Sequence, residues 1–73
     1  MASRSDYRVI LGADIRKQRV KLGLSQEQAA ERADLHSNYF GRVERGEENV
    51  SLSALRRIAK ALNVRVRDLV AEI

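Results

Sequence analysis

A chain of 73 residues with 14 Lys and Arg, 10 Asp and Glu, no Cys, no Pro and no Trp has room for one domain, not two. A domain this small buries only about 60% of its unfolded surface, so a partner chain would add stability. The lack of Cys excludes disulfides and Cys-type zinc sites and accords with a reducing cytoplasm. No apolar run reaches the roughly 18 residues of a membrane span, and Met1 to Ser5 lead into no apolar stretch of the signal-peptide kind.

The net charge of +4 hints at a polyanionic partner, and it is unevenly spread. Residues 1–24 carry six bases (Arg4, Arg8, Arg16, Lys17, Arg19, Lys21) and two acids. Residues 25–46 carry three bases and four acids, and residues 47–73 five bases and four acids. The surplus therefore belongs to the first third. A solvated helix face explains it equally well until a binding geometry is found.

No segment alternates apolar and polar residues as a strand would, and helix formers fill most positions, so the chain is all-α. Residues 1–5 read as a tail. A first helix starts at Ser5 or Asp6, buries Leu11, Ile15 and Leu22, and ends at Gly23. Ser25 with Gln28 reads as a capping box for a second, two-turn helix whose inner face is Ala29, Ala30 and Ala33. That thin face lets another helix come close. Asp34, tolerant of positive φ, stops it, and Leu35 plugs the turn. A third helix runs from Ser37 to Arg45 and ends at Gly46, with Phe40 and Val43 inward and Tyr39 half buried. Ser37, Asn38, Gly41, Arg42 and Arg45 point elsewhere. After a polar loop, Ser51 caps a fourth helix with the stripe Leu52, Leu55, Ile58, Ala59 and Leu62, closed by Asn63. A fifth, over residues 66–72, presents Val66, Leu69, Val70 and Ile73. These span more than one face, so Leu69 is assigned to the core and Val66, Val70 and Ile73 to a homodimer seam.

The second and third helices meet through a turn of about three or four residues, with small Ala30 at the crossing. That is a helix-turn-helix. A helix fits the major groove of B-DNA, and the N-terminal residues of such a helix reach base edges.

Leu24-Ser25-Gln26, Ala30, Tyr39, Val43-Glu44-Arg45-Gly46, Leu55, Ile58-Ala59, Ala61-Leu62 and Val64 carry a resemblance to the lambda-repressor-like, Cro/repressor (Xre) family over about residues 10–70. Asp34-Leu35-His36 and the stretch from Arg45 to Ser51 are similar to the small controller proteins of restriction–modification systems. The resemblance implies a five-helix DNA-binding domain and a homodimer that regulates transcription. Its two recognition helices, about 34 Å apart, would read a pseudo-palindrome. It further implies that Ser37, Asn38 and Arg42 contact bases. Gln26, Tyr39, Arg45, Asn49, Arg16 and Lys17 would contact the DNA backbone, and Arg19 and Glu44 would form a structural salt bridge.

The chain departs from the family at three positions. Ala29 stands where Leu is usual, thinning the core that Phe40 would then fill. His36 occupies the cap position of the recognition helix, where a neutral His caps poorly. Gly41 inside that helix costs about 1 kcal/mol relative to Ala, unless something approaches closely there.

Other readings carry less. His36 is the one His and there is no Cys, so neither a metal site nor a cofactor is expected. Ser25, Ser51 and Ser53 serve as caps rather than nucleophiles, and so thin a chain has little room for an enzyme's pocket. Glu47 and Glu48 read as solvated loop acids. An antitoxin-type autorepressor and a phage-type repressor remain as alternatives, and a helical protein-interaction module is the alternative from another class. Exposed Asn38, Arg42 and Arg45 argue against the module.

Overall fold

The computed structural model describes residues 3–73, with side chains from Tyr7 onward. Five helices follow one another: α1 (Ser3–Lys21), α2 (Gln26–Arg32), α3 (Ser37–Glu44), α4 (Leu52–Ala61) and α5 (Val66–Val70). Among the described residues there is no strand.

Local chemistry sets where the helices start and stop. Ser25 Oγ accepts from the Gln28 N–H at 3.0 Å, and Gln28 Oε1 accepts from the Ser25 N–H at 2.8 Å. Ser51 Oγ accepts from the Ala54 N–H at 3.0 Å. Helices α1 to α4 all end on a residue with positive φ: Gly23 at 72°, Asp34 at 58°, Gly46 at 78° and Asn63 at 60°. Past each, the next N–H turns back to a carbonyl in the last helical turn: Leu24 to Arg19 at 3.2 Å, Leu35 to Ala30 at 2.9 Å, Glu47 to Arg42 at 2.9 Å and Val64 to Ala59 at 3.0 Å. These bonds satisfy carbonyls that a helix end leaves free, and after α1, α2 and α4 they aim Leu24, Leu35 and Val64 toward the core.

The core takes one face from each element. Ile15, Phe40, Val43, Ile58, Leu62 and Leu69 are fully buried, and Phe40 is the largest of them. Ala29, Ala30 and Ala33 are buried too, and their small size lets α2 sit tightly between α3 and α4. Helix α1 packs against α3 and α5, and α4 against α2 and α5.

Four expectations need correction. Helix α1 begins at Ser3, ahead of Ser5 or Asp6, because nothing in that stretch breaks a helix. Leu22 is 42% exposed, since it lies beyond the last helical residue, and Leu24 packs on the core from across the Gly23 turn. Leu52 is 67% exposed because it opens α4 and overhangs the core, while Ala54 and Leu55 are the first inward residues. Helix α5 stops at Val70, and residues 71–73 are exposed, with no core left to bury them.

Gly12, which the periodicity does not single out, fixes how α1 crosses α3. A Cβ there would lie 2.5 Å from the Glu44 carbonyl oxygen and closer still to that of Val43. Backbone cannot swing aside as a flexible side chain can. Gly12→Ala should therefore act as overpacking, costing about 1–3 kcal/mol although Ala is the better helix former. Urea unfolding checks this, and unchanged or raised stability would show that the crossing has slack.

Candidate nucleic-acid interface

Helix α3 turns Phe40 and Val43 into the core and carries Asn38, Arg42 and Arg45, four and three residues apart, along another face. Asn38 and Arg45 are exposed, and Ser37, Tyr39 and Arg42 are half buried. Gly41 does not point away as expected: it is buried. A Cβ there would meet Arg45 Nη1 at 3.3 Å and Gln26 Oε1 at 3.4 Å, both ends of flexible side chains, so Gly41 lies against the start of α2 without a close backbone approach that demands glycine.

The cap of α3 also differs from the expectation. His36 has extended backbone (φ −69°, ψ 140°), which brings Nδ1 over the first turn, where it accepts from the Asn38 N–H at 3.1 Å. An unprotonated ring nitrogen is a competent acceptor, so His36 does the work of the usual Ser or Thr. Arg57 Nη1 on α4 reaches the Asp34 carbonyl at 3.4 Å and ties down the turn between α2 and α3.

At the other end of α3, Glu44 is buried and engaged from two sides. Arg19 Nε donates to its Oε2 at 2.6 Å and Arg19 Nη2 to its Oε1 at 3.1 Å. Gln26 Nε2 also donates to Oε1, at 2.8 Å. Arg19 Nη1 donates to the Leu24 carbonyl at 2.8 Å, so this guanidinium also holds the turn between α1 and α2. The Gln26 side chain, a candidate phosphate contact, is thus directed toward Glu44.

The loop after α3 engages the arginines beside it. Arg42 Nε donates to Glu48 Oε2 at 2.7 Å, and the guanidinium carbon lies 5.9 Å from the centroid of the Tyr39 ring. Arg45 Nε and Nη2 donate to the two Glu47 oxygens at 3.1 and 3.3 Å. Glu47 and Glu48 are therefore not free solvated acids. The Gly46 turn folds them back along α3, a tertiary consequence invisible in their charges. Burial pushes the Tyr39 hydroxyl above its ordinary pKa, the Glu48 charge adds to this, and Arg42 opposes it. Tyr39 is a neutral donor at physiological pH. The Tyr7 hydroxyl donates to Asn49 Oδ1, fastening the loop to α1.

Arg16 and Lys17 are exposed on α1 and line a shallow groove with Val9, Ala13 and Val20 that reaches Glu44. On α5, Leu69 is buried and Val66 and Val70 are half buried against the core, while Ile73, beyond the helix, is 51% exposed. Among the described residues no three His, Cys, Asp or Glu side chains converge as a metal site requires. Tyr7 and Gly12 shape this surface although no role for them is read from sequence, and Glu47 and Glu48 do so although their charges read as solvated acids. The usable signal was Gly12 itself, a helix-interior glycine that costs stability unless close packing requires it.

Arg19→Ala would strand a carboxylate whose side chain is 2% exposed, so it should cost about 3–5 kcal/mol. Glu47→Ala breaks an ion pair whose side chains are 57% and 52% exposed and should change stability by only about 0–1 kcal/mol. Urea unfolding of both variants checks the contrast. Equal, small losses would mean that water can replace Arg19.

Comparison with known proteins agrees with this geometry. A family model described as a helix-turn-helix domain matches residues 10–73. The chain is 50% identical over 64 residues to the control protein C.SmaI of Serratia marcescens, covering 88% of this chain and 76% of that relative. It is 41% identical to the control protein C.BamHI of Bacillus amyloliquefaciens, covering 89% of this chain and 82% of the relative. Among solved structures, the restriction-modification controller protein C.AhdI from Aeromonas hydrophila is similar at a TM-score of 0.82 and 43% identity, covering 84% of this chain and 92% of that one. The chain belongs to the lambda-repressor-like helix-turn-helix family of DNA-binding transcription regulators.

Proposed function

We propose that this protein binds a pseudo-palindromic operator as a homodimer and controls the transcription of a restriction–modification operon. The observation that carries the reading is the division of α3, whose core face is apolar while Asn38, Arg42 and Arg45 stand on another. The likeness to C.SmaI, C.BamHI and C.AhdI supports the controller assignment. Inserted in a major groove, Ser37 and Asn38 reach base edges from the start of α3, where Asn suits adenine. Arg42, one turn on, suits guanine O6 and N7. Arg45, Asn49, Tyr39 and the start of α2 at Gln26 contact sugar and phosphate, with Arg16 and Lys17 adding charge from α1. Val66, Val70 and Ile73 form the seam between two copies. Binding is the whole activity in this reading, with no catalytic step, and the protein acts in the cytoplasm. No described helix is long and apolar enough to cross a membrane, which fits that placement.

Selection of bound sites from random duplex DNA tests the proposal. The expected result is a bipartite symmetric site with half-sites about one helical turn apart. An asymmetric single half-site would remove the dimer, and no enrichment at all would remove sequence-specific binding. Arg42→Ala should lower discrimination at one symmetric position by about 1–3 kcal/mol. Arg45→Ala should weaken selected and random DNA alike and flatten the salt dependence. Mobility shifts across a salt series check both, and equal losses on both DNAs from both variants would refute these roles.

A further inference from the structure

We propose that Glu48 is a positioning residue that determines specificity through Arg42: it aims the guanidinium at a base and keeps phosphate away from it. The inference rests on the reading that α3 enters a major groove with Arg42 toward the bases. Glu48 Oε2 holds Arg42 at Nε, 2.7 Å away, and at no other nitrogen. The terminal edge, Nη1 and Nη2, is left without an intramolecular partner among the described residues. That edge is the fork that matches the two acceptors of guanine. Tyr39 limits the guanidinium on another side, with its ring centroid 5.9 Å away.

The position of Glu48 is itself fixed by the fold. The positive φ of Gly46 (78°) and the return of the Glu47 N–H to the Arg42 carbonyl at 2.9 Å fold residues 47 and 48 against the last turn of α3. The pair is partly shielded, with side chains 43% and 29% exposed. Arg45 differs in both respects. Glu47 occupies its Nε and Nη2 together, and that pair is more than half exposed. An exposed pair is screened and weak, so Arg45 can exchange Glu47 for a phosphate at little cost. Arg42 is held more firmly and carries a fixed negative charge beside it. A phosphate approaching Arg42 meets that charge at close range, whereas a guanine edge is neutral and offers acceptors to the free fork. One carboxylate thus does two things: it orients the reader and discriminates against the sequence-independent ligand.

The test uses the full chain as wild type, Glu48→Gln, Glu48→Ala, Arg42→Ala and the double variant Arg42→Ala/Glu48→Gln. Affinity for the selected operator and for a random duplex of equal length is measured over a salt series. Thermal unfolding establishes that each variant is folded. Two Glu48 substitutions are used so that the loss of one to misfolding leaves the other. The expected result is that Glu48→Gln lowers the operator-to-random ratio by about tenfold, the worth of one good base contact. Binding to random DNA should tighten and its salt slope steepen by about one phosphate's worth. In the Arg42→Ala background Glu48→Gln should leave the ratio unchanged. An unchanged ratio in Glu48→Gln and Glu48→Ala, while Arg42→Ala lowers it, overturns the role of Glu48 and leaves the reading of Arg42 intact. An equal drop with and without Arg42 overturns it as well, by showing a general charge effect. If Arg42→Ala keeps the wild-type ratio, the base-reading role of Arg42 falls, and the role of Glu48 falls with it.

Discussion

The buried contact between Arg19 and Glu44 is the constraint on which the geometry of this domain depends. Glu44 is the last residue of α3, where the partial negative charge of the helix end disfavours a carboxylate. Its side chain is also almost wholly withdrawn from water, at 2% exposure. Both effects oppose it, and three donated hydrogen bonds offset them, two from Arg19 and one from Gln26. A buried ion pair contributes little net stability compared with apolar packing of the same volume. Its contribution here is directional. Arg19 sits on α1, Gln26 opens α2, and Glu44 closes α3, so one carboxylate fixes the mutual orientation of three helices. Gly12 acts on the same crossing by sterics, since α1 and the end of α3 meet backbone to backbone there.

That fixed crossing explains how a short helix can present side chains reproducibly. Helix α3 has only eight residues and would not be stable alone. It also contains Gly41, which weakens a helix interior. The compensation is tertiary. Gln26 bonds Glu44 across from the neighbouring helix, and His36 holds the first turn through the Asn38 N–H. Of the two departures from the family pattern at α3, Gly41 and the cap His36, the second is thus part of the support for that helix. The third, Ala29, is completely buried in a core that includes the fully buried Phe40.

The difference between what was legible in the sequence and what was not follows the range of the interactions. Helix ends are set by contacts within a few residues, so Gly23, Ser25, Asp34, Gly46, Ser51 and Asn63 could be read directly. The buried faces of α2 and α3 follow from periodicity. Leu22 and Leu52 failed because each lies at a helix end, where spacing continues but the neighbouring layer does not. Residue type alone makes His36 a poor cap, whereas its extended backbone places the ring where Nδ1 accepts from the Asn38 N–H. Tyr7, Glu47 and Glu48 act across turns or between helices, and no local pattern announces such contacts, whereas Gly12 carries a local signal as a glycine inside a helix. Of the candidate site, the exposed face of α3 was legible, and the side chains that restrain its arginines were not.

Those restraints change the meaning of the net charge of +4. The segment from Ser25 to Gly46 carries more acids than bases, and the two loop acids after it pair with Arg42 and Arg45. Positive charge near the exposed face of α3 is therefore largely compensated. Among the described residues, bases without an ion-pair partner lie on α1 (Arg8, Arg16, Lys17, Lys21) and on α4 and around α5 (Arg56, Arg57, Lys60, Arg65, Arg67). Long-range attraction for a polyanion falls with distance and salt but does not distinguish one sequence from another. A domain that concentrated free cations on α3 would gain affinity for every duplex equally. Placing the surplus away from α3, and pairing the arginines at its end with carboxylates, separates attraction from recognition. In the proposed reading, charge that reads nothing draws in the duplex, Arg45 exchanges Glu47 for phosphate, and Arg42 keeps Glu48 while its free edge meets a base.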